Sequence, residues 1–192
     1  SNLVVYGLIT IAAMKVVLQR VKQASVSVDG IVAGEIAHGV LLLAGITQTD
    51  GEAQVDWMAK KIATLRIFPA QDGPSGFDRS LIDVAGGALV VSQFTLYGEA
   101  RKGRRPDFMQ AARPEQAAPL IVLFARRLRE EGVPLSEIAV LFRSSFHSFD
   151  LEIELSRCGL PFVKRGGIKF IEAAHVKDLL AHLRVVVNPQ DA

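Results

Sequence analysis

ALVVSQFTLYGEARKGRRPDF, Ala88–Phe108, decides how this chain is read. Four apolar residues, Ala88-Leu89-Val90-Val91, form a run short enough for a buried strand. The run stops abruptly at two bare polar residues, Ser92 and Gln93, and a glycine-split basic cluster follows within ten positions. A strand that ends on Ser-Gln-Phe-Thr can offer short polar side chains and backbone N–H groups to a bound carbonyl. The alternative for Ser92 and Gln93 is an ordinary sheet edge or turn whose polar groups are simply satisfied. A nucleophilic serine is disfavoured. No Gly-x-Ser-x-Gly elbow surrounds Ser92, and no His–Asp pair can be assigned to it. Thr95 is a nucleophile by residue type but has no visible base. Arg101, Lys102, Arg104 and Arg105 around Gly103 form a compact cationic loop suited to phosphates, or else a solvated basic loop.

The flanking sequence reads outward as alternating strands and helices. Val-rich segments from Met14 to Val28 indicate strands, with Asp29-Gly30 as a hairpin turn. Gly39–Ile46 is a short apolar run consistent with a buried strand. Val55, Met58, Ala59, Ile62 and Leu65 recur at helical spacing, behind a possible capping box of Thr49 and Glu52. A second helix starts at Pro114, carries Leu120, Leu123, Phe124 and Leu128 on one face, and stops at Gly132 and Pro134. Beyond a seam near Val133–Ser136 the pattern changes to a small β-α-β-α unit over residues 136–192. The expected fold is α+β, a mostly antiparallel curved or barrel-like sheet with two helices, plus that tail.

Composition narrows the function classes. The chain has 192 residues, 49% of them hydrophobic, which is a globular composition. A net charge of +2 means that any nucleic-acid role must come from local clustering. The single cysteine, Cys158, excludes an internal disulfide, and four histidines without HExxH or CxxC context indicate no metal site. Residues 1–13, SNLVVYGLITIAA, read as an extension ahead of Met14, too short for the roughly 20 apolar residues of a membrane helix. The expectation is a cytoplasmic protein.

MKVVLQRVKQASVSVDG, GVLLLAGI, KIATLRIF, LVVSQFTLYGEARKGRRPDF and PEQAAPL, in this order, resemble the D-aminoacyl-tRNA deacylases, from Met14 to about Pro134. The Ser-Gln-x-Thr-Leu motif, Ser92–Leu96, is that family's signature. The resemblance implies a homodimer acting on aminoacyl-tRNA without metal or organic cofactor, cleaving D-amino acids and glycine from tRNA. It implies that Ser92, Gln93, Phe94 and Thr95 form the carbonyl site. The Phe94 and Thr95 N–H groups would contact the scissile carbonyl, and the substrate's terminal ribose hydroxyl would assist. It also implies tRNA contacts from Arg101, Lys102, Arg104 and Arg105, and a supporting role for Arg20. The family's second signature, a Gly-Pro pair that excludes L-amino acids, has no counterpart after Pro134, where Gly159 is followed by Leu160.

The segment from Ser136 onward resembles part of the second motor domain of UvrD-like superfamily-one DNA helicases, through IAVLFR, LPFVKRGG and the KDLLAHLR helix. No phosphate loop of the GxxxxGK[ST] type is present, so no helicase-type ATP hydrolysis follows. Arg143, Lys164 and Arg165 could retain DNA contacts, or form a solvated face. His147, His175 and His182 read as surface or packing residues. Two functions stay open: a tRNA-ester hydrolase, or a catalytically impaired fusion serving as a nucleic-acid or protein interaction module.

Overall fold

The computed structural model describes residues 4–11, 14–28, 31–71, 76–101, 104–134, 138–141, 149–157, 159 and 161–165. Seven strands are β1 (Val4–Ile11), β2 (Met14–Val21), β3 (Ala24–Val28), β4 (Ile31–Ile36), β5 (Gly39–Gly45), β6 (Gly87–Ser92) and β7 (Ile138–Leu141). The helices are α1 (Glu52–Thr64), α2 (Pro114–Glu130) and α3 (Phe149–Arg157), and a 3₁₀ turn spans Phe94–Tyr97. The class is α+β, as the residue pattern indicates.

The main sheet is mixed, in the order β1-β2-β5-β6-β7. β1–β2 and β2–β5 pair antiparallel, whereas β5–β6 and β6–β7 pair parallel; β3 and β4 form a separate antiparallel hairpin. Parallel neighbours need long crossovers, and α1 and α2 supply them. Strands inside such units are covered on both faces and read as continuous apolar runs. Leu89 and Val90, adjacent and pointing to opposite faces, are both fully buried. On one face α1 contributes Val55, Met58 and Ile62 and α2 contributes Ile121, Phe124 and Leu128. They close over Val16, Leu18, Val40, Leu42, Ala88 and Val90. The buried stripe of α2 thus runs through Ile121, while Leu120 and Leu123 are only partly covered. The opposite face meets the hairpin, where a Cβ on Gly34 would lie 3.2 Å from the Ala139 Cβ and 3.4 Å from Leu89 Cδ1.

One local reading changes, and one gains structure. Within the expected extension, Val4–Ile11 form β1, an edge strand paired with β2 from Val4↔Arg20 to Ile11↔Met14. Valine and isoleucine suit such a pleated edge. The start of α1 is not the Thr49/Glu52 box: Gly51 is the N-cap, and its N–H donates to Gln54 Oε1 at 2.9 Å. Just before it, Thr47 N–H donates to Asp50 Oδ2 at 2.8 Å. Gly132 ends the α2 segment with φ +107, a conformation that favours glycine. Asp29-Gly30 lies outside the described residues, although Val28 faces Ile31 across the hairpin.

β5 and β6 begin backbone against backbone. A Cβ on Gly39 would fall 2.0 Å from the Gly87 carbonyl oxygen and 2.5 Å from its nitrogen. Neither atom belongs to a flexible side chain, so the strands must separate to admit a methyl group. Gly39→Ala is expected to cost at least about 2 kcal/mol, read as a lower urea midpoint with an unchanged slope.

Asp50 is buried, and its Oδ1 takes no hydrogen bond among the described residues. Burial, the largest influence, raises its carboxyl above the usual range, opposed by the backbone of Thr47 and Met14. The folded chain therefore holds this proton more readily than the unfolded chain. The residue's contribution to stability is greatest below the unfolded value of about 3.9 and is lost as pH rises through the raised folded value. Asp50→Asn keeps an acceptor for Thr47 and is expected to flatten that part of the melting-temperature profile above about pH 4. Identical profiles for the two proteins would refute this assignment.

Candidate active site at the ends of two parallel strands

Ligands of parallel sheets bind beyond the carboxyl ends of the strands, where the chain leaves into a crossover. β5 and β6 end together, with Ala44 opposite Ser92, and the last link is Gln93 N–H donating to the Ala44 carbonyl at 2.8 Å. The chain then winds into the Phe94–Tyr97 turn and folds back over Gly45. A Cβ on Gly45 would lie 3.0 Å from Tyr97 Cε2, 3.1 Å from the Gln93 carbonyl oxygen and 3.2 Å from Leu96 Cβ. Glycine lets the turn lie this close.

A short helical turn leaves its first donors without internal partners. Leu96 N–H donates to the Gln93 carbonyl at 3.4 Å and Gly98 N–H to the Thr95 carbonyl at 3.0 Å. The N–H groups of Phe94 and Thr95 take no partner among the described residues. Both residues are exposed, and Ser92 and Gln93 are half-buried beside them. Two neighbouring free amides at an accessible strand end can polarise a carbonyl and hold the negative charge that develops on its oxygen.

Among the described residues nothing at this end activates a side-chain nucleophile. The Gln93 amide contacts the Thr95 hydroxyl. In either orientation an amide is no general base. His38 precedes Gly39 at the other end of β5, about 20 Å away at the rise of a strand. Burial, then Arg20 and Arg79, lower its imidazole, and its ring packs edge-on to Phe68. No group of His, Cys, Asp or Glu able to hold a metal occurs among the described residues.

The basic loop rises from the same end. Its stem is Glu99 and Asp107, which exchange backbone hydrogen bonds of 2.8 and 2.9 Å. Below the stem Phe108 packs edge-to-face with Phe94, centroids 5.3 Å apart. The following residues are tied to the end of β5: Gln48 Nε2 donates to the Met109 carbonyl at 2.7 Å, Thr47 Oγ1 to the Gln110 carbonyl, and Ala112 N–H to Ile46 at 2.9 Å. Arg101 turns back to Glu99 at 3.2 Å. Arg104 and Arg105 are exposed and make no ion pair among the described residues; Lys102 lies outside them.

The structure does not bring every expected residue here. Arg20 faces Val40, at the end of β5 remote from Ala44, and donates to the Ile67 carbonyl at 2.7 Å. It thus lies beside the Ile67–Phe68 segment, at the end of β5 remote from the Ser92–Thr95 turn, because β2 runs antiparallel to β5. The β2 residue at the site end is Lys15, opposite Gly45, and its Nζ donates to the Leu96 carbonyl at 3.2 Å. A lysine within a strand pattern gives no signal of this in the sequence.

In the tail, β7 pairs with β6 and covers its edge over Ala88–Val91. Lys164 is buried in an ion pair with Glu152 and lies over the Phe149 ring. Arg165 reaches Glu35 at 3.5 Å. Both cations thus form ion pairs within the chain, that of Arg165 on an exposed surface. Arg143, His147, Cys158, Leu160 and everything beyond residue 165 lie outside the described residues.

Comparison with known proteins agrees with this geometry. The model of the D-Tyr-tRNA(Tyr) deacylase family matches residues 17–153, past the expected seam and through β7. A D-aminoacyl-tRNA deacylase of Brevibacillus brevis is 57% identical over 120 residues, 62% of this chain and 81% of the relative. One from Thermomicrobium roseum is 54% identical over 122 residues, 64% and 78% of the two chains. Among solved structures, the c-Myc DNA Unwinding Element Binding Protein superposes with a TM-score of 0.60 at 35% identity, covering 66% of this chain and 83% of its own. A probable eukaryotic D-amino acid tRNA deacylase, at 20% identity and a TM-score of 0.55 over 81% of this chain and 83% of that one, shares the fold. With more than half its length matched by the family model and its signature turn folded at the paired ends of β5 and β6, the chain belongs to the D-Tyr-tRNA(Tyr) deacylase family.

Proposed function

We propose that this chain hydrolyses the ester joining an amino acid to the 3′ end of tRNA. The observation that carries the reading is the pair of Phe94 and Thr95 amides, without partner or side-chain base among the described residues, beside an exposed basic loop. The two N–H groups would bind the ester carbonyl oxygen. Water adds to the carbonyl carbon, assisted by the neighbouring ribose hydroxyl. The acyl–oxygen bond breaks, and the proton from water goes to the departing ribose oxygen. Free tRNA and free amino acid result. Ser92 and Gln93 shape the pocket, and Arg101, Lys102, Arg104 and Arg105 hold the tRNA backbone. The reaction takes place in the cytoplasm, with D-amino acids and glycine as the cleaved groups.

The homodimer belongs to the same proposal. Val17, Leu43 and Val91 lie in register across one sheet face and are only half-buried, which suits a second copy. With no Gly-Pro in the tail, the chiral filter is expected to be weakened or lost. A second reading, a nucleic-acid interaction module without hydrolysis, is favoured by the solved relative whose name states DNA-element binding. The helicase-like stretch enters that reading as a structural remnant, since β7 serves the deacylase sheet.

Hydrolysis of D-Tyr-tRNA and L-Tyr-tRNA by the full chain separates these readings. Cleavage of both at rates within about tenfold fits a working carbonyl site without its filter. Cleavage of the D form alone places a selectivity element elsewhere in the chain. Binding without cleavage of either supports the module.

Arg104→Ala with Arg105→Ala is expected to weaken tRNA binding about tenfold at low salt. The slope of log affinity against log salt is expected to fall by about 1.5, measured by filter binding. An unchanged slope would place the phosphate contacts elsewhere.

A further inference from the structure

We propose that Lys15 is a positioning residue that holds the carbonyl-binding turn in its working orientation from behind. This rests on the hydrolytic reading above and names a residue that neither the motif nor the fold alone identifies.

The turn is weakly held by its own bonds. It is only four residues long, and its entry link, Leu96 N–H to the Gln93 carbonyl, is stretched to 3.4 Å. Short 3₁₀ segments have poor hydrogen-bond geometry, so external contacts decide how their first N–H groups point. Lys15 supplies two of these contacts. Its ammonium donates to the Leu96 carbonyl at 3.2 Å and sits 4.5 Å from the centroid of the Tyr97 ring. Leu96 and Tyr97 are the two residues that follow the amides of Phe94 and Thr95.

Tyr97 completes the grip. It is buried, and its hydroxyl donates to the Gly45 carbonyl at 3.3 Å, on the residue that faces Lys15 across the β2–β5 pair. The aromatic ring thus lies between a strand carbonyl and a cation, directly over the bare Cα of Gly45. Lys15 is itself half-buried, so its ammonium is partly withdrawn from water and both interactions gain in strength. None of these contacts reaches the open side of the turn. Lys15 therefore acts on the reaction through Leu96 and Tyr97, by fixing where the two donors aim.

The test compares the full chain with Lys15→Met, which keeps the apolar stem, and Lys15→Arg, which can restore both contacts. Lys15→Met is expected to lower kcat on D-Tyr-tRNA about tenfold to hundredfold, with KM within about twofold. Amide exchange at Gly98, whose N–H closes the turn on Thr95, is expected to quicken about tenfold. Lys15→Arg should recover most of kcat and of the exchange protection. Unchanged kcat and exchange in Lys15→Met would overturn the proposal. So would a loss that tracks melting temperature and is not recovered by arginine, since that describes a fold defect. If the parent chain cleaves neither ester, the hydrolytic reading fails on its own account. Exchange at Gly98 then decides the clamp: faster in Lys15→Met supports it, and equal rates reject it.

Discussion

The pairing of β5 with β6 is the constraint on which everything else depends. At its beginning, Gly39 and Gly87 bring the two backbones closer than any side chain would permit. At its end, one hydrogen bond from Gln93 to Ala44 sets the point at which β6 must leave the sheet. Both positions are fixed by the same parallel register, Gly39↔Gly87 through Ala44↔Ser92. A slip of one residue would turn Leu89 and Val90 to exchanged faces and move the exit of the chain. The Phe94–Tyr97 turn would then no longer sit over Gly45, the residue whose missing side chain receives it. Site geometry is thus inherited from strand register, which the hydrophobic core on both faces enforces.

A catalytic site built on backbone donors demands this kind of support. Side-chain catalysts can be aimed by a rotamer, whereas an amide can be aimed only by the chain around it. The surroundings of the turn reflect that demand. Tyr97 is anchored to Gly45, the 109–112 segment is tied to Thr47, Gln48 and Ile46, and Gln93 meets Thr95 across the opening. Burial drives the Tyr97 phenol far above its ordinary range, and the Asp50 charge adds to this. At neutral pH that hydroxyl stays a donor and its grip on Gly45 persists. The basic loop, by contrast, is joined only at its Glu99–Asp107 stem and leaves Arg104 and Arg105 exposed. Rigidity is concentrated where a carbonyl would be polarised, and exposed charge where phosphates would be met.

Much of this was legible in the residues, for identifiable reasons. Ser92-Gln93-Phe94-Thr95 interrupts an apolar run so abruptly that a strand end could be placed there, and Pro114 and Gly132 bracket α2 by their backbone chemistry. The parallel pairing was harder to see. A short apolar run is compatible with parallel or antiparallel neighbours, and only burial of both faces of β6 separates the two. Arg20 and Lys15 lie on one strand, and only the antiparallel register of β2 against β5 shows which of them sits at the Ser92 end. No local pattern encodes that direction. The strand at Val4–Ile11 was not legible for a related reason: whether an apolar stretch becomes an edge strand depends on an open partner, and β2 offered one.

The tail illustrates how a sheet edge constrains what may replace it. Without a neighbour, β6 would present a row of unpaired backbone groups next to the site, an invitation to pair with another chain. β7 meets that requirement with four residues, matching Ala88–Val91 to Ile138–Leu141 in parallel. Strand pairing uses main-chain atoms, so it tolerates almost any apolar sequence that arrives in the right direction after α2. The β3–β4 hairpin adds one steric condition, a small residue at Ala139 beneath Gly34. A segment of other ancestry could satisfy both conditions and leave the carbonyl turn undisturbed, because the contacts described at Phe94–Tyr97 come from residues before α2. A selectivity device makes a different demand, particular atoms placed inside a pocket, which strand pairing by itself does not supply. Loss of stereochemical discrimination with retention of the carbonyl site is the outcome this division of labour favours.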